Sequence, residues 1–214
     1  MEKVIDALFF EGYCQSSPIE KITLLLDRLP KQNIACAPWK EFASGAMVSF
    51  TIAHGNDAVF LKFFVEEGVL RSTYINPNDP VYKDSCVEFF IGFNQEADYY
   101  NFEFNCAGTC LAGFGKGRER FLLPQRDIQR IRHYTRIRNN SAENLVHWEL
   151  TLVIPVTTFI HHDFTTLAGL KSRTNFFKCG DDLPEPHFLS WSNIKSAVPD
   201  FHLSEFFGTL SFSV

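Results

Sequence analysis

From Cys86 to Cys106 the chain repeats with a period of two. Val87, Phe89, Ile91 and Phe93 alternate with Cys86, Glu88, Phe90 and Gly92. After a short polar break, Tyr100, Phe102, Phe104 and Cys106 alternate with Tyr99, Asn101, Glu103 and Asn105. Successive side chains of a β-strand point to opposite faces, whereas a helix would scatter these rings around its circumference. The stretch therefore specifies a β-hairpin. One face is apolar enough to be core. The other gathers two carboxyl groups, two amides and aromatic rings, a set suited to hydroxyl-rich ligands.

The rest of the chain follows the same pattern. Phe accounts for 23 of the 214 residues, and Phe, Val, Ile and Thr favour half-buried pleated surfaces. Residues 47–54 and 58–66 alternate on either side of Gly55-Asn56-Asp57, a tight-turn sequence. Further strands are expected over 109–114, 128–138, 145–154, 167–177 and 208–214. Loops are expected over 76–80, around Gly113, Gly115 and Gly117, and over 179–186. Ser17 as cap and Pro18 at the first helical position predict a short helix ending before Pro30. A helical turn is expected within 156–164. This predicts an all-β domain, a two-sheet antiparallel β-sandwich of the jelly-roll or immunoglobulin-like kind, with one or two short helices. A single domain covers 1–214, with 1–45 as an N-terminal arm and short helix wrapping it. Within that arm, 1–16 reads as an extended segment or edge strand.

Composition excludes several classes. A net charge of −5 with 21% charged residues argues against disorder and against bulk affinity for nucleic acid. No apolar run approaches the roughly 20 residues that cross a bilayer as a helix, so no membrane partner is expected. The N-terminal MEKVIDALFFEGY lacks a basic start, a long apolar stretch and a small-residue cleavage site, so the expectation is a cytoplasmic location. The oligomeric state is left open. The six cysteines show neither CxxC nor zinc-like spacing and are expected to be mainly reduced. On an extended strand Cys106 and Cys110 lie too far apart for a disulfide. Nucleophile-elbow, Walker, HExxH and GxGxxG motifs are all missing from the sequence, and the GFGKG at 113–117 is too short for a phosphate loop.

Glu88 and Glu103 are the first candidates for chemistry. A hairpin with a four-residue loop sets them opposite each other, and like charges so placed are destabilising without an offsetting cation or proton. Three readings remain open: a polar platform for sugar hydroxyls, a solvated face, or the acid and base of a glycoside hydrolase. Tyr82 and Phe201, each beside a proline loop, are candidate stacking rings for the C–H faces of sugars, or else loop anchors. Trp191, Trp39 and Trp148 read as structural. Residues 116–138 hold eight of the 20 basic residues. Arg130, Arg132, Arg136 and Arg138 share a predicted strand face with Tyr134, either to bind an acidic group or as a solvated face that blunts an edge. Asp181, Asp182 and Glu185 are oxygen donors suited to calcium but lack EF-hand spacing. His161-His162 lacks metal-ligand spacing.

These residues carry a family resemblance. Residues 82–93 resemble the DSVEIFID strand of family 9 carbohydrate-binding modules, with Cys86 in a variant spelling. YYNFEFN, with Gly108-Thr109 after it, resembles the next strand. LSWS at 189–192 and EFFGTLSF at 205–212 resemble the closing motifs. The match runs from about 47 to 214 in the family's order. The resemblance implies a non-catalytic β-sandwich that binds oligosaccharides or polysaccharides, including xylan- and cellulose-derived chain ends, between two stacked tryptophans, neither of which is a tryptophan in this chain. It also extends to stand-alone bacterial relatives encoded near glycan-degradation systems. By position the rings fall on Tyr82 and Phe201 and the strand carboxylate on Glu88. Asn101, Glu103 and Asn105 complete the expected polar set. Glu103 stands where the family has an arginine, and the amide beside the second ring has no counterpart near Val198-Pro199. A structural calcium is common in the family. A hydrolase using Glu88 and Glu103, or a protein-interaction module, are the alternatives.

Overall fold

The alternating segments become strands of one curled sheet rather than two separate antiparallel ones. The computed structural model describes residues 3–94, 96–140 and 144–214, with Asn140 described in its backbone only. The strands are β1 (Val4–Phe9), β2 (Gln32–Asn33), β3 (Met47–His54), β4 (Ala58–Glu67), β5 (Cys86–Gly92), β6 (Tyr99–Asn105) and β7 (Cys110–Lys116). They continue as β8 (Glu119–Leu122), β9 (Arg132–Asn140), β10 (Leu145–Pro155), β11 (Lys171–Cys179), β12 (Phe188–Ser190) and β13 (Gly208–Phe212). Two short helices join them, α1 (Ile19–Leu26) and α2 (Gln125–Ile128). No helix among the described residues is long and apolar enough to cross a membrane.

The sheet runs β8-β7-β6-β5-β11-β13-β1-β3-β4-β10-β9, with β12 added to β11 and β2 to β3. Its halves meet at β1, whose first part pairs with β13 and whose last two residues pair with β3. Both pairings are parallel, so the sheet is mixed and the purely antiparallel expectation is corrected. The physical reason is that β1 changes partners along its length in one direction, which a hairpin meander cannot supply. For the same reason the N-terminal segment is an internal strand, not an edge.

The halves close over a shared core. Phe50 of β3 stacks on Phe176 of β11 with centroids 3.7 Å apart, and Phe89 of β5 stacks with Phe176 at 5.1 Å. Trp191 stands edge-on to Phe50 and Phe176 and is fully buried. Each buried Phe contributes about 1.5–3 kcal/mol relative to exposure, so these rings make the apolar face of the β5–β6 hairpin an anchor for both halves. Trp148 and Trp39 are also buried, as expected for structural tryptophans.

Several local expectations change. Ser17 does not cap α1: its hydroxyl accepts from the Cys14 backbone N–H, and the helix starts after Pro18 without a side-chain cap. Residues 125–128 form α2, so Arg130 lies in a turn beside Asp127 rather than on the β9 face with Arg132, Arg136 and Arg138. Gly113 and Gly115 lie inside β7, and an additional edge strand, β8, follows. β9 is the opposite edge.

Candidate functional site

The β5–β6 register opposes Glu88 to Glu103, Phe90 to Asn101 and Cys86 to Asn105. The polar face is not solvated, since Glu88 is 3% and Glu103 5% exposed. Burial, reinforced by Cys179 and by the charge of Glu103, pushes the Glu88 carboxyl well above the usual carboxylate range. Burial pushes Glu103 up to about 7, against the pull of the Asn101 amide and the Arg120 guanidinium. Protonation of one member thus relieves the like-charge opposition. The Cys179 thiol donates to Glu88 Oε1 at 3.1 Å, and Asn101 Nδ2 donates to Glu103 Oε1 at 2.7 Å. Glu103 Oε2 is buried with no hydrogen-bond partner among the described residues.

The cation that the hairpin lacks comes from β8. Arg120 donates through Nε to Asn101 Oδ1 at 2.8 Å and through Nη2 to the Tyr99 carbonyl at 3.1 Å, with its guanidinium 4.4 Å from the centre of the Tyr99 ring. Because Arg120 occupies the amide oxygen, the Asn101 nitrogen is turned towards Glu103. Glycine at the neighbouring position on β7 leaves room for this arrangement, for a Cβ on Gly113 would lie 2.9 Å from Asn101 Oδ1 and push the amide aside. Arg120 also approaches His202 Nδ1 at 3.3 Å. Burial, then Arg120, lowers the His202 imidazole to about 4.

Above this floor lies an open cavity of about 320 Å³, lined by Glu88, Glu103 and Cys179 and by the loop residues Tyr82, Asp181 and Phe201. Arg118, Phe188, Pro199, Asp200 and His202 complete its lining. Tyr82 sits in a single helical turn, 81–83, between the 76–80 loop and Asp84. Phe201 lies nearly flat on Phe177 of β11, 4.2 Å between centroids, with Trp39 5.9 Å away. Tyr82, Phe201, Glu88 and Glu103 therefore share one cavity. Asn101 stands behind it, orienting Glu103. Asn105 does not reach it: Nδ2 donates to the Tyr74 carbonyl and to Asp84, and Oδ1 accepts from the backbones of Ala107 and Thr109. All its hydrogen-bonding capacity is spent holding the turn after β6.

The acidic loop does not assemble a calcium cage. Asp182 is shared by Arg71 at 3.7 Å and Lys83 at 3.9 Å, while Asp181 faces the cavity. The residues thus do not fit a calcium ion, which requires six to eight converging oxygens. On the far edge, Arg132 donates to the carbonyls of Gln15 and Ser17 and pins the N-terminal arm, and Arg136 reaches Glu149 at 3.9 Å. His161 stacks on Phe114, and His162 accepts or donates through Nδ1 to the Tyr100 hydroxyl. Arg120 and Arg118 were not singled out from the sequence. Their only sequence signal is their place in the basic run after the glycines.

Known proteins resemble this architecture to different degrees. A crystal structure of a candidate carbohydrate-binding protein from Bacteroides uniformis is 34% identical, with each chain covered over 100% of its length and a TM-score of 0.90. A family 9 carbohydrate-binding module from Caldicellulosiruptor kristjanssonii, solved with glucose, is 12% identical, with 99% of this chain and 96% of that chain covered and a TM-score of 0.64. The same kind of module from that organism, solved with cellotriose, is 12% identical, with 99% and 94% covered and a TM-score of 0.65. At that identity the two modules share the fold. No curated protein matches the sequence. The profile of carbohydrate-binding family 9 matches residues 19–212, nearly the whole chain, and the protein belongs to that family.

Proposed function

We propose that this protein is a non-catalytic carbohydrate binder that takes an oligosaccharide or a polysaccharide segment into the cavity between Tyr82 and Phe201. The observation that carries the reading is the convergence of two aromatic rings and two carboxyl groups in one open cavity. Its volume of about 320 Å³ is at the small end of ligand pockets, which suits one or two sugar rings rather than a long groove. Aromatic faces bury the apolar C–H side of a pyranose. Glu88, the unpartnered Glu103 Oε2 and Asp181 accept from hydroxyls, and Arg118 donates. The curled sheet acts as a two-layer sandwich of jelly-roll type holding this face rigid. Family membership and the neighbours solved with glucose and cellotriose make gluco-configured chains the first ligands to try, with xylan fragments next, in keeping with a bacterial polysaccharide-utilisation role.

The reading predicts millimolar to micromolar binding, since exposed polar ligands give up well-made water contacts. Isothermal titration against cello- and xylo-oligosaccharides checks it. Tyr82→Ala together with Phe201→Ala should weaken binding at least tenfold, and a double variant that binds as wild type would sink the site. A hydrolase reading would require the two carboxyls to flank a scissile bond, whereas here they sit side by side on the floor. Release of shortened chains that stops in Glu88→Gln would favour it instead.

A further inference from the structure

Beneath the same cavity is a set of metal-ligating side chains of which the sugar reading uses only Glu88. β11 pairs antiparallel with β5, and the register sets Cys179 directly opposite Cys86. Glu88 follows Cys86 by two residues, so its side chain leaves the same face. The two sulfurs and a Glu88 oxygen all lie within 4.8 Å of one another. Cys86 is 0%, Cys179 1% and Glu88 3% exposed. Among the described residues this is the one group of three or more ligating side chains gathered so tightly.

We propose that Cys86, Cys179 and Glu88 form a binding site for a soft divalent cation of the zinc class, with its fourth position open to the cavity. Around a tetrahedral zinc, sulfur at about 2.3 Å and oxygen at about 2.0–2.2 Å place ligand atoms roughly 3.3–3.8 Å apart. The present spacing reaches that geometry by small side-chain rotations, without moving a strand. The proton between Cys179 Sγ and Glu88 Oε1, and the weak Cys179 contact to the Tyr82 carbonyl at 3.5 Å, are the interactions a metal would replace. Loading releases both thiol protons, and the Glu88 carboxyl proton where it is held, to solvent and leaves two thiolates and one carboxylate on the ion. Thiolates select against calcium and magnesium, which prefer oxygen.

Access and charge support the site. Glu88 and Cys179 line the cavity, so an ion reaches them from solvent. Glu103 and Asp181 line it too, while Asp200 is paired with Arg118 at 3.4 Å, so ionisation of the first two attracts a cation from solvent. The inference does not rest on sugar binding. It shares the cavity and, among its ligands, Glu88 with that reading, and it is measured by a different signal.

The test is titration of reduced, metal-free full-length protein with Co²⁺, followed by Zn²⁺. The expected result is a thiolate-to-cobalt charge-transfer band with tetrahedral d–d absorption, saturating at one equivalent and bleached by Zn²⁺. Cys179→Ser and Cys86→Ser should each weaken the band at least tenfold. Cys36→Ser, a half-buried cysteine away from the cluster, should keep it, and Glu88→Gln should keep the band with at least tenfold weaker binding. If wild-type protein gives no thiolate band at one equivalent, the site does not exist, whatever the variants do. A band that survives both serine variants, or a Cys86–Cys179 disulfide that mass spectrometry finds resistant to reductant, overturns the proposal equally.

Discussion

On the outer face of β4, the Lys62 side chain is 1% exposed, yet it sits 2.5 Å from Asp27 at the end of α1 and 2.8 Å from Glu149 of β10. On the outer face of β5, Glu88 is equally enclosed, but it faces another carboxyl, Glu103. The first face is also roofed: Ile19, Ile22 and Leu26 of α1 pack on Ala53, Phe60 and Val153. The second is roofed only in part, by Trp39, Ile194 and Phe207, and opens at Tyr82 and Phe201. Both halves of the sheet bury charge. One half neutralises it and closes; the other leaves an acceptor oxygen unpartnered beneath an opening. The contrast sets a neutralised ion pair beside an opposed carboxyl pair that keeps an acceptor oxygen open.

The largest way to break this contrast is to strip Lys62 of its partners. Asp27→Asn with Glu149→Gln leaves a buried ammonium uncompensated, and should cost about 3–5 kcal/mol in chemical denaturation. Sugar affinity should change little. The reverse experiment is Tyr82→Ala with Phe201→Ala, which should weaken sugar binding by at least tenfold, about 1.4 kcal/mol or more, with a smaller effect on unfolding. Equal losses of stability in the two experiments would show that the halves are not different in kind.

A subtler comparison makes the open face resemble the closed one. Glu103→Gln removes a like charge, keeps an acceptor for Asn101 and can donate to Glu88. It should raise stability at neutral pH by about 1 kcal/mol while weakening sugar binding. An unchanged or lower unfolding midpoint would mean that the opposed carboxyls carry no strain.

The smallest effect is a slope. His202 lies at the cavity rim with its imidazole lowered to about 4 from the usual 6.5 by burial and Arg120. Between those values the unfolded chain binds the proton and the folded one does not, so stability is present above about 6.5 and is lost as pH falls towards 4. His202→Asn should flatten the pH dependence of the melting temperature in that window. Other groups titrate there too, so the readout is the difference between variant and wild type.

Much of the open face was legible because it is local. Alternation gave the two faces of β5 and β6, and a short loop gave the Glu88–Glu103 opposition. Tyr82 and Phe201 stand out one at a time by their proline-loop contexts, and the family motifs link them, since no local pattern joins two loops so distant in sequence. What stayed hidden depended on partners far along the chain. The three glycines at 113, 115 and 117 read as a loop. Yet Gly113 and Gly115 are strand residues whose Cβ positions are taken by Asn101 Oδ1 and, at 2.4 Å, by the Glu119 carbonyl. That error concealed β8 and therefore Arg120, the cation missing from Glu103's position. The Arg130 misplacement has a similar origin: Arg130-Ile131-Arg132 extends the alternation of β9 backwards into the turn after α2. Asn105 has the right chemistry for a sugar contact, but only the fold reveals that Asp84 and the turn after β6 use up its amide.

The parallel pairing of β1 with β13 has a mechanical consequence. Four residue pairs, from Val4 with Thr209 to Ala7 with Phe212, join the first strand to the last while both run the same way. Tension entering ahead of Val4 and leaving after Phe212 pulls the strands along their length in opposite directions. It loads those hydrogen bonds together, in shear, instead of unzipping them singly. Single-molecule stretching from the two ends should give one high rupture peak, and moving the attachment to the β3–β4 turn at Asn56 should lower it. A domain built this way resists a load applied across its two termini before its hairpins open.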